Sequence, residues 1–258
     1  MRTLSTTLAA AMAATLVSGA ALADVMNLGV DYFTVSGSEP GFGTPGICCS
    51  VSPNMVLSTL GPNGLPVLNP AATDLKPGEL ALLQQDTNSH GELNFWTVGG
   101  HVTSGGPSGT VSIPYAVSEF YPDALNPGHG TADGAVHGYM AAVFAGKFTL
   151  ATASTVTFSL GADDEAFFYV DGKIVDQIGG IHPNTAAPVT TGTLAAGDHT
   201  LELFYDDRYP TQASLSFGLV TEGITITPTP PPIAVPEPGV LGLLGFGIAG
   251  VAFLRRRA

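Results

Sequence analysis

Hydrophobic and polar residues alternate strictly in two stretches of the chain's second half. In Thr155–Leu160, Val156, Phe158 and Leu160 fall on one face, and Thr155, Thr157 and Ser159 on the other. In Ser214–Leu219, Leu215, Phe217 and Leu219 share a face in the same way. A period of two predicts antiparallel strands with one buried side. Between them, Ala166–Val170 and Lys173–Gln177 are joined by Asp171-Gly172, a two-residue connection that favours a type I′ hairpin. A further strand, His199–Tyr205, follows the turn at Ala196-Gly197-Asp198. The patterning sharpens only from Phe144. Before about Ser118, turns such as Gly41-Phe42-Gly43 and Gly61-Pro62-Asn63-Gly64 interrupt the chain, and the strand candidates are weakly patterned: Asp31–Val35, Glu79–Leu83, Leu93–Val98 and Thr110–Pro114. No long amphipathic helix is written between the termini. The expected fold is therefore all-β, an antiparallel β-sandwich of jelly-roll type spanning residues 24–224. Thr225–Pro236 contains Pro228, Pro230, Pro231, Pro232 and Pro236, so it is expected to stay out of any sheet ladder as an extended spacer.

The termini follow other patterns. Arg2 opens a short positive region, Leu8–Val17 is apolar, and Ala21-Leu22-Ala23 fits a small-x-small cleavage site. Residues 1–23 read as a helical signal peptide cleaved between Ala23 and Asp24. At the other end, residues 239–254 carry no charge and precede Arg255-Arg256-Arg257. As a helix this run is about 24 Å long, short of a hydrocarbon core of roughly 30 Å, so it spans by thinning the bilayer or by snorkelling of its arginines. Gly242, Gly245, Gly247 and Gly250 argue against a soluble core helix and are ordinary in a transmembrane one. The arginine cluster favours the cytoplasmic side, which places the preceding chain outside.

Removing both ends leaves Lys76, Lys147, Lys173 and Arg208 against all 21 acidic residues, a net charge of −17. Such a chain repels nucleic acid and suits divalent cations held by carboxylates. Glycine (33) and proline (20) point to short strands and many turns, while 45% hydrophobic residues exclude a disordered polyelectrolyte. The two cysteines, Cys48 and Cys49, are adjacent and cannot close an ordinary loop. A vicinal disulfide, a reduced pair or pairing between chains are the alternatives; export favours oxidation.

Val235-Pro236-Glu237-Pro238, followed by a Gly-rich apolar run and terminal arginines, resembles the PEP-CTERM sorting signal of Gram-negative bacteria, occupying residues 235–258. That resemblance implies export, transient anchoring in the inner membrane, cleavage near the motif by an exosortase, and release to the cell surface or an exopolysaccharide matrix. A second resemblance lies in residues 160–173, which contain Gly161-Ala162-Asp163-Asp164-Glu165 and the Asp171-Gly172 turn and continue to Gly179-Gly180-Ile181-His182. With Phe120-Tyr121-Pro122 and His137-Gly138-Tyr139 upstream, and Leu201–Phe204, Asp207-Arg208-Tyr209 and Ser214 downstream, this stretch is similar to the fibro-slime domain, a relative of the protective-antigen-type β-sandwich. The likeness covers about 119–220. Asp207 stands for a glutamate, Tyr209 for a histidine, and Ala166 for a bulkier aromatic residue of that pattern.

Carbohydrate-binding members of that group hold Ca²⁺ on the adjacent aspartates, so the resemblance implies Asp163 and Asp164 as Ca²⁺ ligands on a loop at the end of the sandwich. Ca²⁺ takes six to eight hard oxygens, and neighbouring carboxylates concentrate the charge it needs. The plain alternative is a solvated turn whose side chains cap backbone N–H groups. His182, Asp206, Asp207 and Arg208 are the further candidates for the ligand loop. For His182 a packing role, and for Arg208 an internal ion pair, compete with ligand contact. Trp96 with Phe95 reads as core before it reads as a sugar-stacking platform. No Ser-x-x-Lys, Gly-x-Ser-x-Gly, His-Glu-x-x-His or P-loop occurs, so no catalytic residue is assigned. The expected function is an exported, non-enzymatic, Ca²⁺-dependent carbohydrate-binding or adhesive module, partnered by an extracellular glycan or biofilm exopolysaccharide. A structural matrix protein and, behind it, a glycosidase using paired carboxylates are the alternatives.

Overall fold

The computed structural model describes residues 26–44, 49–121 and 138–231. The signal peptide with Ala23 and Asp24, Cys48, the sorting motif Val235–Pro238 and the apolar run 239–254 lie outside the described residues. Among the described residues no helix is long and apolar enough to cross a membrane.

The larger of two antiparallel sheets runs β2 (Val102–Ser104), β1 (Met26–Val35), β5 (Tyr139–Leu150), β10 (Gly197–Asp206), β7 (Glu165–Val170), β8 (Lys173–Ile178). Two short strands join it at one side: β3 (Gly109–Ile113) on β1, and β12 (Ile226–Pro228) on β5. The smaller sheet runs β4 (Tyr115–Val117), β11 (Ser214–Leu219), β6 (Thr157–Asp163), β9 (Ala187–Thr190). The chain is an all-β sandwich, as its alternation predicts.

The core between the sheets takes Phe158 and Leu160 from β6 and Leu215 and Phe217 from β11, against Phe144, Phe168 and Leu203 of the large sheet. Phe158 and Phe217 stack with ring centroids 5.6 Å apart, and Phe168 meets both edge-on. In the hairpin β7–β8, Asp171 (φ 52°) and Gly172 (φ 67°) both adopt positive φ, which the type I′ turn requires.

The large sheet is covered on its second face as well. Phe167, Tyr169 and Phe204 point away from the small sheet into another apolar cluster, formed with Phe42, Met55, Leu83, Phe95 and Trp96. The segments 36–44 and 49–101 are thus a packed third layer of turns and isolated bridges. This explains why Ala166–Val170 is continuously apolar: each face of β7 has its own core. Trp96 is fully buried and donates from Nε1 to Tyr205 O at 2.8 Å, a core anchor.

Three expected elements differ. Glu79–Leu83 is a helix, α1, rather than a strand, followed by a 3-10 turn over Gln84–Asp86. Gly78 enters it in the left-handed conformation (φ 87°), and the Glu79 carboxylate accepts the Lys76 N–H at 2.9 Å, so local capping and tertiary contacts outweigh the weak strand pattern. Leu93–Val98 forms no strand; it is a loop with a single bridge, Thr87 to Leu93. Within the expected spacer, Ile226–Pro228 pairs with β5. Pro228 is tolerated because β12 is a short edge strand and needs no donor at that position.

Candidate functional site

Asp163 is the last residue of β6 and Glu165 the first of β7. The expected loop is therefore a single residue, Asp164, at the corner where the chain leaves the small sheet for the large one. The Asp163–Asp164 peptide bond is cis. Neither side chain is solvated: Asp163 is 5% exposed and Asp164 1%. β10 ends beside this corner, since Asp206 is in register with Glu165. Its continuation brings Asp207 and Arg208 against the aspartate pair.

The backbone fixes the corner through several donors. The Arg208 N–H donates to Asp164 Oδ2 at 2.8 Å, and the Asn184 N–H donates to the Asp163 carboxylate. The Tyr205 hydroxyl donates to Asp163 O at 2.8 Å, and Tyr205 is in turn held by Trp96. Asp207 receives the Tyr209 N–H at 3.2 Å. Burial raises the Asp163 carboxyl to about 6 and the Asp164 carboxyl to about 7. Burial first, and then the Asp164 charge, push Asp207 well above the ordinary carboxylate range. Asp207, Asp164 and Asp163 form a run of carboxyl–carboxyl contacts that share protons.

The Arg208 charge pulls the Asp164 carboxyl down against burial, but its guanidinium forms no ion pair with this run. Its guanidinium is fully buried and turned into the protein, where Nη2 bonds Glu79 Oε1 at 2.6 Å and also Glu165 Oε1, while Nη1 donates to Gly41 O at 3.1 Å. Asp206 lies in the same interior, 3.9 Å from Arg208 Nε. Burial, reinforced by Glu165, raises the Asp206 carboxyl so that it holds its proton against Glu165. Of the four further candidates, the structure thus brings Asp207 to the aspartate pair and places Asp206 and Arg208 in an interior ion-pair cluster. His182 sits two residues before Asn184 on the loop that donates to Asp163, and its Nδ1 faces Pro183 O at 3.0 Å. Cys49 is disulfide-bonded and adopts φ 71°.

The residues that hold the corner without a recognisable motif are Glu79, Asn184, Tyr205 and Trp96. Tyr205 stood in an expected strand that forms, whereas Glu79 and Trp96 stood in expected strands that do not; Glu79 and Asn184 reach the corner from distant segments. As donors, the corner offers hard oxygens alone, the chemistry suited to Ca²⁺. Among the described residues, no three His, Cys, Asp or Glu side chains form a ready-made metal cage. A cation at Asp163 and Asp164 would complete its shell with carbonyl or ligand hydroxyl oxygens.

Residues 234–257 match the PEP-CTERM protein-sorting motif. The motif indicates export and membrane-anchored sorting, in agreement with the expectation drawn from Val235-Pro236-Glu237-Pro238. No curated protein matches the chain. Among solved structures, it is similar to the PA14 sugar-binding domain from an RTX adhesin, at 14% identity and TM-score 0.34, covering 79% of this chain and 95% of that one. It is also similar to the epithelial adhesin 9 A domain of Candida glabrata in complex with Galβ1-3GlcNAc, at 13% identity and TM-score 0.33, covering 78% and 85%. A β-glucosidase from Kluyveromyces marxianus in complex with glucose aligns at 16% identity and TM-score 0.31 over 52% of this chain, which spans only 15% of that enzyme.

Proposed function

We propose that the chain is an exported, surface- or matrix-associated glycan-binding module of fibro-slime type, in which a divalent cation such as Ca²⁺ is held by Asp163 and Asp164. In this reading an exosortase cleaves near Pro236-Glu237-Pro238 after transient anchoring in the inner membrane, and the partner is an extracellular polysaccharide of a Gram-negative biofilm. One observation supports it above all. Three carboxyls, of Asp163, Asp164 and Asp207, are packed at one sandwich corner without a direct ion pair among the described residues, because the Arg208 guanidinium bonds Glu79 and Glu165 and acts on Asp164 only through its field. Carboxyls gathered this way keep protons or bind a cation. The bound cation would supply positive charge able to orient sugar hydroxyls. Asp163, the most exposed of the three, stands nearest the solvent.

The same geometry speaks against glycoside hydrolysis. Hydrolytic carboxyls flank an open cleft at about 5–10 Å separation. Here they are adjacent, buried and joined to one another. The test is calorimetric titration of the full-length chain with CaCl₂, followed by a glycan array run in Ca²⁺ and again in chelator. Saturable Ca²⁺ binding, lost in Asp163→Asn/Asp164→Asn, and chelator-sensitive glycan binding are expected. A folded wild-type chain that takes up no Ca²⁺ at millimolar concentration would replace this reading with that of a structural matrix protein.

A further inference from the structure

At the same end of the sandwich, beyond the C-terminal end of β1, the turn at 36–42 and the loop at 94–102 enclose a pocket of about 240 Å³. Its polar lining is Glu39, Asn94, Thr97 and His101, and its apolar lining is Val98 and Val102. The walls are tied together by the backbone. The Ser36 N–H donates to His101 O at 2.9 Å, and Gly99 and Val102 exchange two N–H···O bonds of 2.9 Å. Gly99 (φ 148°) and Gly100 (φ 56°) form the rim, with open space where a Cβ would stand.

Three of the pocket's four polar groups have hydrogen-bonding capacity to spare, and the fourth, Glu39, is 9% exposed and held by a carboxyl partner. Its neighbour is the Asp86 carboxyl, raised to about 8 by burial and then by the contact with Glu39, so Asp86 keeps a proton at neutral pH and donates it to Glu39. Gly41 N–H fixes Asp86 from the other side at 2.9 Å. The Asn94 and Thr97 side chains have no intramolecular hydrogen bond among the described residues. His101 is tethered through Nδ1 to Ser38 Oγ at 3.1 Å, which leaves Nε2 available. A half-buried amide and hydroxyl beside a carboxylate suit a ligand with several hydroxyl groups. A lone cation could use the oxygens here but would leave the N–H donor of the Asn94 amide without a partner, and an apolar ligand would strand all four polar groups. The volume is below that of drug-sized pockets and admits one small ring.

We propose that this pocket is a metal-independent subsite for one sugar residue, its hydroxyls taken by Glu39, Asn94, Thr97 and His101 and its C–H face by Val98 and Val102. The subsite shares with the preceding reading only the class of ligand. A hydrogen-bonded path joins it to the aspartate corner, from Asp86 through Gly41 to Arg208 and Asp164.

The experiment is saturation-transfer NMR of the full-length chain in detergent and EDTA, with neutral methyl glycosides of glucose, galactose and mannose as probes. At least one glycoside is expected to bind in EDTA. Affinity should fall about tenfold or more in Asn94→Ala/Thr97→Val, which removes two neutral hydrogen bonds. It should persist in Asp163→Asn/Asp164→Asn. If the double variant melts early, Thr97→Val alone, nearly isosteric, reports a smaller loss of the same sign. No signal from any glycoside in EDTA, or binding unchanged by Thr97→Val and the double variant, overturns the proposal. Binding of ethylamine in place of the glycosides also overturns it. Chelator-resistant binding with no Ca²⁺ uptake would sustain this subsite while removing the cation reading; the reverse result would do the opposite.

Discussion

Replacing Arg208 with methionine tests the interior that supports the aspartate corner. The substitution keeps most of the side-chain volume but removes the charge facing Glu79 and Glu165. All three side chains have zero exposure, and Arg208 Nη2 lies 2.6 Å from Glu79 Oε1. Removing one partner of a buried ion pair costs about 3–5 kcal/mol, chiefly because charge is left buried without compensation. Here two carboxylates lose the same partner, so the upper half of that range is expected. For a chain of this size that corresponds to a melting temperature lower by about 8–20 °C. Adding Glu79→Gln and Glu165→Gln to Arg208→Met should recover more than half of the loss. Urea unfolding of wild type, single and triple variants at about pH 7 reads each quantity. An Arg208→Met variant within about 1 kcal/mol of wild type, or a triple variant no more stable than the single one, would show that the buried charges do not support this interior.

Two other perturbations follow from the packing. Phe158→Ala and Phe217→Ala should each cost about 3–5 kcal/mol, because both rings are buried and stacked on one another between the sheets; unchanged thermal midpoints would put that core elsewhere. His199 is bound at Nδ1 by Asp171 Oδ2 at 2.7 Å and at Nε2 by Ala195 O at 3.0 Å, an arrangement that needs both nitrogens protonated. The hydrogen bond to Asp171 leads in raising its pKa above 6.5. Its stabilising effect is thus complete below the unfolded-state value and fades as pH rises through the raised one. Asp171→Asn should flatten the pH dependence of the urea midpoint above about pH 6.5, and an unaltered profile would exclude the pair as its source.

The resolving power of the sequence varied along the chain for physical reasons. Where one face of a strand is buried and the other solvated, as in β11 and most of β6, a period of two is written into the residues and was legible. The Asp171-Gly172 hairpin was legible because only a few residue types accept two consecutive positive φ values. Segments 36–44 and 49–101 gave misleading signals. Their residues pack onto the outer face of the large sheet through turns and isolated bridges, so burial there follows the sheet's shape rather than any period of their own. Glu79 illustrates this: its acidic side chain is satisfied only by Arg208, 129 positions later.

Residue order alone carried the all-β class, the main hairpin, the sorting motif at residues 234–257 and the adjacency of Asp163 and Asp164. It could not determine that these aspartates form a buried corner rather than an exposed loop, because burial of a polar group depends on what distant strands place beside it. Nor could it divide Asp207, which joins them, from Asp206 and Arg208, which turn inward. Neighbouring residues on a strand end point to opposite sides, and which side meets the corner was decided by the register of β10 on β7. Only the tertiary structure also brought Glu39 to Asn94 and His101, since turns carry no periodicity from which such a meeting could be read.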